Sequence, residues 1–220
     1  MSWEQVYQQW LNEENIPENL KNELKDLNTD PEKCEDAFYA PLEFGTAGMR
    51  GILGAGINRM NIFTVRQATE GLARFMDTQD PETKRRGVAI AYDSRHMSPE
   101  FAMEAAKTLA KHDIPSFVFE SLRPTPELSF AVRYFKAFAG IMITASHNPA
   151  AYNGYKVYGE DGGQMPPADA DALTKYVRSI ENSLKIDVLS DEEVAHSGLI
   201  NIVGEEVDNA YLKEIKTVTI

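Results

Sequence analysis

The chain has 220 residues, of which 43% are hydrophobic and 25% charged, a composition that supports a sizeable globular core. Its net charge of −12 argues against general binding to nucleic acids or anionic membranes, because both require a positive protein surface. Cys34 is the single cysteine, which excludes internal disulfides and zinc sites made of several cysteines. The sequence has no membrane-length apolar run and no signal-peptide core at its start, so we expect a cytoplasmic protein.

The first forty residues predict a helical N-terminal extension. Apolar residues recur at helical spacing from Trp3 to Leu11, and prolines at positions 17 and 31 fit the starts of two further helices. From Pro41 to Arg59 the pattern changes, and five glycines fall within twelve residues, which predicts a loop with short strands. A helical pattern then begins at Asn61.

The middle of the chain alternates short apolar runs with helical patterns. Ser98 and Thr125, each followed by proline, are interpreted as helix caps. This alternation predicts an α/β fold with a mixed, largely parallel sheet flanked by helices, and ligands in such sheets bind where strands end. The predicted strands are 87–92, 116–119 and 139–144; the later segments are a helix over 167–180, an acidic linker at 191–193 and a final helix over 205–216.

The segment Thr144-Ala145-Ser146-His147-Asn148-Pro149 follows the third predicted strand. Pro149 disfavours helical backbone at the residue before it, so the segment is expected to turn at the edge of the sheet with its serine exposed. The downstream Asn153-Gly154-Tyr155-Lys156 is interpreted as a turn that returns a lysine to the same place. A lone serine or lysine here would be an ordinary surface residue, but the combination points to a functional site.

This loop resembles the phosphoserine loop of the α-D-phosphohexomutases, the family that includes phosphoglucomutases and phosphomannomutases. Two further segments match family elements in the same order. Residues 43–51, Glu-Phe-Gly-Thr-Ala-Gly-Met-Arg-Gly, resemble the first glycine-rich loop, and residues 91–95, Ala-Tyr-Asp-Ser-Arg, resemble a strand-end Asp-x-Arg element. The helical N-terminus and the sequence Gly-Thr-Ala-Gly-Met-Arg are most similar to the phosphoglucomutase/phosphopentomutase branch.

The resemblance implies that Ser146 carries a phosphoryl group and exchanges it with a phosphosugar through a bisphosphate intermediate. It places Arg50 and Lys156 beside the transferred phosphate, with Lys156 as the acid or base and Arg50 as an electrostatic partner. His147 and Thr46 are expected to bind phosphate. It also implies Mg²⁺, held by the Ser146 phosphate and by aspartates of a later domain, and glucose 1,6-bisphosphate as activator.

The resemblance further implies a domain organisation. Residues 1–40 are expected to form the extension, 41–200 the first domain of the family, and 201–220 a linker helix toward a second domain. The metal aspartates and sugar-recognition loops of the family have no counterpart here, so the remaining domains of a longer enzyme are implied partners. We therefore expect little turnover from these 220 residues alone.

Glucose 1-phosphate and glucose 6-phosphate are the expected substrate pair. The alternatives are a phosphopentomutase or phosphomannomutase of the same family, and a non-catalytic phosphosugar-binding remnant.

Three other functional interpretations are weaker. A Ser-His-Asp hydrolase is disfavoured because Ser146 and His147 are sequence neighbours and no Gly-x-Ser-x-Gly element is present. Residues 51–56 lack the strand and helix that a dinucleotide-binding loop requires. Asp169 and Asp171 fit the first turn of a helix better than a metal site. For Asp93 and Arg95 we expect pairing with each other or capping of the following helix, and not a catalytic role.

Overall fold

The computed structural model describes residues 1–45 and 48–218 of the chain. Within these residues there are ten α-helices, six β-strands and a 3-10 turn at Ser183–Lys185. The helices are α1 (Trp3–Leu11), α2 (Glu18–Leu27), α3 (Pro31–Phe38), α4 (Ile62–Asp77), α5 (Pro81–Arg86), α6 (Ser98–Ala110), α7 (Thr125–Phe135), α8 (Pro167–Arg178), α9 (Asp191–Ser197) and α10 (Glu205–Val218). The strands are β1 (Met49–Ile52), β2 (Val88–Tyr92), β3 (Ser116–Phe119), β4 (Ala139–Ile143), β5 (Tyr152–Tyr158) and β6 (Ile200–Val203).

The strands form one mixed sheet in the order β1-β5-β4-β2-β3-β6. Strands β4, β2, β3 and β6 are parallel, whereas β5 is antiparallel to both of its neighbours. Val88 and Ile90 pack into the core formed with α4, α6 and α8, while Ala89 and Ala91 face the opposite core beneath α7 and α10. This arrangement of helices on both faces confirms the predicted α/β fold class.

The first three helices form a separate apolar cluster against α4. Trp10 is 2% exposed, and its ring makes edge contacts with Phe38 and with Phe63 of α4, at centroid distances of 5.7 and 5.2 Å. Full burial of a large apolar side chain contributes about 3 kcal/mol. The first three helices therefore pack onto α4 of the α/β domain.

The predicted turn at residues 153–156 is wrong, because these residues lie inside β5. Asn-Gly normally signals a turn, but here the Asn153 side chain is fully buried. Its amide donates to the His96 carbonyl and to Ser98 Oγ, both at 2.9 Å. These tertiary contacts outweigh the local turn preference, and the chain turns earlier, at residues 146–151.

Other differences from the predictions lie at helix ends and in the last fifty residues. Ser98 and Thr125 are the first residues of α6 and α7, and the N-caps are Met97 and Pro124, without side-chain capping bonds. The expected acidic linker at 191–193 begins α9, whose N-cap Ser190 forms a capping box. Strands β5 and β6 and helices α5 and α9 were not predicted, and β6 extends the sheet beyond the expected domain limit at residue 200.

Across residues 1–45 and 48–218, none of the helices has both the length and the apolar character needed to cross a membrane.

His112, which follows α6, lies between two carboxylates of α4 and makes stability depend on pH. Its ring nitrogens are 2.8 Å from Glu70 Oε2 and 3.0 Å from Asp77 Oδ2. The hydrogen bond to Glu70 is the main cause that raises the pKa of His112 above its ordinary value. The charged imidazole therefore stabilises the fold at low pH, and this contribution is lost as pH rises through the raised pKa.

We expect His112→Gln to lower the free energy of unfolding by about 1–2 kcal/mol at mildly acidic pH, because charged hydrogen bonds are lost. The deficit should shrink as pH rises above the raised pKa of His112. Urea unfolding across this pH range measures the effect. His196→Gln is the control, since the His196 ring bonds only to the Glu192 carbonyl of its own helix among the described residues. A pH-independent deficit in His112→Gln would contradict the prediction.

Candidate functional site

The site lies where β2 and β4 end, at one edge of the sheet. These parallel neighbours pair Tyr92 with Ile143, and the Asp93 amide continues the ladder by donating to the Ile143 carbonyl at 3.1 Å. The residues that follow the two strands are therefore adjacent in space although about fifty positions separate them in the chain. Such an edge is where ligands bind in open α/β sheets.

Ser146 is exposed in the turn that follows β4 and has left-handed backbone, with φ of 56°. This conformation costs a residue other than glycine about 1 kcal/mol and persists only where surrounding contacts enforce it. The Ser146 amide donates to Thr144 Oγ1 at 2.9 Å, which helps to hold the strained turn. The predicted exposed serine at a strand end is thus present.

Lys156 reaches Ser146 from the adjacent strand. It lies on β5 opposite Met142 of β4, and its Nζ donates to Ser146 Oγ at 2.6 Å. Burial lowers the pKa of Lys156, the positive charge of Arg50 lowers it further, and Asp93 partly offsets both effects. A lysine with a lowered pKa, in contact with a hydroxyl, can exchange a proton with that hydroxyl.

Arg50 lies on β1, opposite Gly154 of β5, and is exposed. Its guanidinium forms no hydrogen bond or ion pair with any residue in the described ranges, 1–45 and 48–218. Gly48 has φ of 89°, and a Cβ there would lie 2.0 Å from the Tyr155 carbonyl oxygen. Gly48 thus permits the close approach of β1 to β5, which brings Arg50 near Lys156.

The structure gives fewer contacts for the other two predicted site residues, His147 and Thr46. His147 is exposed beside Ser146, and its side chain forms no hydrogen bond within the part of the chain that the structure describes. It is therefore available to an incoming ligand. Thr46 lies outside the described residues. The structure accordingly brings Ser146, Lys156 and Arg50 together, with His147 next to them.

Asp93, Arg95 and Thr144 also join this site, a connection that sequence reasoning missed. The expected Asp93–Arg95 pair is present, with Arg95 Nε 3.7 Å from Asp93 Oδ2. Asp93 Oδ2 also accepts a 2.6 Å hydrogen bond from Thr144 Oγ1. The available signal was topological, because parallel neighbouring strands place the residues after their ends side by side.

The described residues do not themselves fit a magnesium site. No group of three histidine, cysteine, aspartate or glutamate side chains within residues 1–45 and 48–218 is arranged to hold a metal ion. Asp93, the carboxylate nearest Thr144, is engaged by Thr144, by Arg95 and by Ser98 Oγ at 3.3 Å. Asp169 lies in the first turn of α8, as expected, whereas Asp171 is the fifth residue of that helix and lies just beyond the first turn.

The same geometry disfavours two rival interpretations. Ser146 Oγ bonds to Lys156, and His147 makes no hydrogen bond to it, so a serine hydrolase pair is not formed. Residues 49–52 form β1, and the chain reaches its next helix only at Ile62, which does not match a dinucleotide-binding loop.

Comparison with known proteins gives a consistent result. Residues 41–184 match the family described as phosphoglucomutase/phosphomannomutase, alpha/beta/alpha domain I. A phosphoglucomutase of Staphylococcus saprophyticus is 40% identical over 208 residues, which cover 94% of this chain and 37% of that protein. A phosphoglucomutase of Staphylococcus epidermidis is 43% identical over 189 residues, 86% of this chain and 34% of that protein.

A solved structure shares the fold. It is parafusin, an exocytosis-sensitive phosphoprotein and phosphoglucomutase from Paramecium, with a TM-score of 0.60, 17% identity, and coverage of 82% of this chain and 35% of that one. The chain spans roughly a third of the length of the curated relatives that it matches. Its sequence, its three-layer fold and the serine loop at the sheet edge agree, and the chain belongs to the phosphoglucomutase/phosphomannomutase family.

Proposed function

We propose that the chain is the phosphate-carrying domain of a phosphosugar mutase, with Ser146 as the carrier. The observation that supports this most is the 2.6 Å hydrogen bond between Lys156 Nζ and Ser146 Oγ. A serine hydroxyl is a weak nucleophile unless a neighbouring group accepts its proton. Lys156 is the residue proposed for this role, and the support is its contact with Ser146 Oγ and its lowered pKa, which increases the fraction of neutral amine.

In the proposed step Ser146 Oγ attacks the phosphorus of a sugar phosphate. The new bond is Oγ–P, the bond that breaks joins phosphorus to the departing sugar oxygen, and the serine proton passes to the neutral amine of Lys156. The departing oxygen takes a proton from solvent water and leaves as a hydroxyl. In the reverse direction the phosphoryl group leaves Ser146 for a sugar hydroxyl, which gives its proton to solvent, and Lys156 returns a proton to Ser146 Oγ. The serine ester thus stores the phosphoryl group between two transfers.

Arg50 and His147 are proposed to bind the transferred phosphate. The charge on a phosphoryl group must be neutralised while it moves, and a free guanidinium can bind two of its oxygens at once. Arg50 is exposed and unpaired within residues 1–45 and 48–218, although the chain as a whole carries a net charge of −12. Thr46 remains a predicted phosphate ligand from the same glycine-rich loop.

We propose glucose 1-phosphate and glucose 6-phosphate as the substrate pair, with glucose 1,6-bisphosphate as activator. The support is that both staphylococcal relatives are named phosphoglucomutase. A phosphomannomutase or a phosphopentomutase is the alternative. Measuring the turnover rates of glucose, mannose and pentose phosphates side by side distinguishes the three. Mg²⁺ is proposed as cofactor from the family resemblance, with most of its ligands outside these 220 residues.

We also propose that residues 1–40 act as an extension, 41–200 as a carrier domain and 201–220 as a linker toward a further domain, with β6 and the start of α10 packed on the carrier domain. The remaining domains of a longer enzyme would supply the sugar and metal contacts, and the 220-residue chain alone is expected to show little turnover. Robust interconversion of the two glucose phosphates by the purified chain would overturn this part of the proposal.

The proposed carrier role of Ser146 is tested by peptide mass spectrometry. The complete natural protein that contains these residues, called here the longest natural polypeptide, is first incubated with glucose 1,6-bisphosphate and Mg²⁺. Phosphate is expected on the Ser146 peptide, and Ser146→Ala should abolish both this phosphorylation and sugar-phosphate turnover. Ser197→Ala is the matched control, because Ser197 lies in α9, far along the chain from the loop, and bonds to backbone within that region. A phosphate-free Ser146 peptide, or full turnover by Ser146→Ala, would favour the non-catalytic alternative.

A further inference from the structure

The terminal nitrogens of Arg95 donate to backbone carbonyls of the turn that contains Ser146 and of the start of β5. Its side chain is 13% exposed and lies beneath the turn formed by residues 146–151. The terminal nitrogens donate to four carbonyl oxygens, those of Ser146 (2.9 Å), Asn148 (2.6 Å), Pro149 (2.9 Å) and Tyr152 (2.9 Å).

This pattern leaves Arg95 little capacity to bind a substrate. A guanidinium has five N–H donors, and the four terminal ones match the four carbonyl acceptors in number. The remaining donor, on Nε, lies on the side of Asp93 Oδ2, at 3.7 Å. Arg50, in contrast, has no partner among the residues that the structure describes. The two arginines near the serine therefore differ, because Arg95 is bound to backbone carbonyls whereas Arg50 has no partner within residues 1–45 and 48–218.

The carbonyl and the amide of Ser146 are both bound by residues that contact Asp93. Arg95 binds its carbonyl, and Thr144 Oγ1 binds its amide at 2.9 Å. Thr144 and Arg95 both contact Asp93, at 2.6 and 3.7 Å. Because Ser146 occupies the left-handed region, where a residue other than glycine is unfavourable, these contacts oppose its relaxation toward ordinary backbone.

Asp93 is itself fixed by the start of α6. Its Oδ1 accepts from the Arg95 amide at 3.1 Å and from Ser98 Oγ at 3.3 Å. Ser98 Oγ in turn accepts from the buried Asn153 of β5, the strand that carries Lys156. The network therefore links the serine turn and the lysine strand through one carboxylate.

We propose that Arg95, with Asp93 and Thr144, is a positioning residue that fixes the backbone of Ser146 so that its hydroxyl meets Lys156. The inference deepens the proposed function and rests on it for the phosphoryl-transfer readout. The competing interpretation is that Arg95 only stabilises the connection between the turn and α6, in which case its loss would reduce stability without displacing the serine.

The first measurement uses the 220-residue chain and needs no phosphoryl transfer. In Arg95→Met, NMR should show a large change in the Ser146 amide resonance, because the contact that holds the Ser146 carbonyl is lost. Arg95→Lys, which keeps the charge but cannot bind four carbonyls, should show the same change to a smaller degree. It also decides the question if Arg95→Met fails to fold.

The second measurement is the rate of Ser146 phosphorylation by glucose 1,6-bisphosphate in the longest natural polypeptide. Arg95→Met should lower this rate about tenfold or more, because small displacements of reacting groups are costly. The half-saturating bisphosphate concentration should change much less, since Arg95 is not a ligand of the sugar phosphate. Rapid phosphorylation of the parent protein with an unaffected Arg95→Met rate would overturn the inference.

Arg86→Met is the matched control. Arg86 also donates to backbone carbonyls, those of Lys136 and Ala137, but these precede β4, at the opposite end from Ser146. This variant should lose stability and leave the Ser146 resonance and the phosphorylation rate unchanged. Equal effects of the two arginine variants would show a general loss of stability and contradict positioning. If the parent protein is not phosphorylated, the proposed function fails while the NMR comparison still decides the role of Arg95.

Discussion

Replacing Lys156 by methionine is expected to lower the rate of Ser146 phosphorylation at least about a hundredfold, the scale of general acid–base catalysis. Methionine fills a similar volume but can neither accept the serine proton nor carry a charge near the phosphate. The 2.6 Å contact with Ser146 Oγ shows why both losses fall on the reacting oxygen. Rapid-quench measurement of phosphoserine formation gives the rate directly.

Two features of this experiment separate proton transfer from electrostatics. In the parent protein the rate should rise with pH up to the lowered pKa of Lys156, because the neutral amine is the base. Lys156→Arg keeps the positive charge but does not release a proton at accessible pH, so it should remain slow and lose this pH dependence. A Lys156→Arg protein with the parental rate would assign Lys156 an electrostatic role only.

Gly154→Ala is expected to reduce both stability and phosphoryl transfer. Gly154 lies in β5 between β1 and β4, and a Cβ there would lie 2.6 Å from the Thr144 carbonyl oxygen and 2.8 Å from that of Met49. Both contacts are with backbone, so strands must separate to admit the methyl group. Overpacking of this kind costs about 3 kcal/mol. Urea unfolding measures the loss of stability.

The expected effect on activity has a separate cause. The same methyl group would lie 3.0 Å from Arg50 Cγ, and Gly154 O accepts the Thr144 amide at 3.0 Å. The substitution therefore displaces Arg50, which is proposed to bind phosphate, and Thr144, which accepts the Ser146 amide. Gly159→Ala is the control, because its Cβ would meet no atom closer than 3.4 Å. Parental stability in Gly154→Ala would contradict the close strand packing described above.

The sequence predicts those parts of the fold that depend on local patterns. Strand β3 matches its predicted bounds, and β2 and β4 differ from theirs by one residue at one end, because each is a continuous apolar run bounded by turn residues. Strand β5 was missed because its Asn-Gly pair favours a turn in isolation. Only burial of Asn153 against the start of α6 makes the extended form preferable, and that contact joins residues 55 to 57 positions apart.

Part of the candidate site was also predictable from local sequence patterns, and part was not. Ser146, Lys156, Arg50 and His147 were predicted from short motifs, and the structure adds the 2.6 Å contact between Lys156 and Ser146. The roles of Asp93, Arg95 and Thr144 depend on the register between β2 and β4, which no local pattern encodes. Asp93 and Thr144 are 51 positions apart, so their hydrogen bond was accessible only from the folded chain.

The left-handed backbone at Ser146 restricts which amino acid can occupy the position of the proposed phosphoryl carrier. Threonine offers the same hydroxyl and could form an equivalent phosphate ester. Its branched Cβ, however, makes left-handed backbone a severe outlier, whereas serine tolerates it at moderate cost. The turn therefore selects between two chemically similar alcohols by shape, and it makes position 146 specific for the smaller one before any substrate has bound.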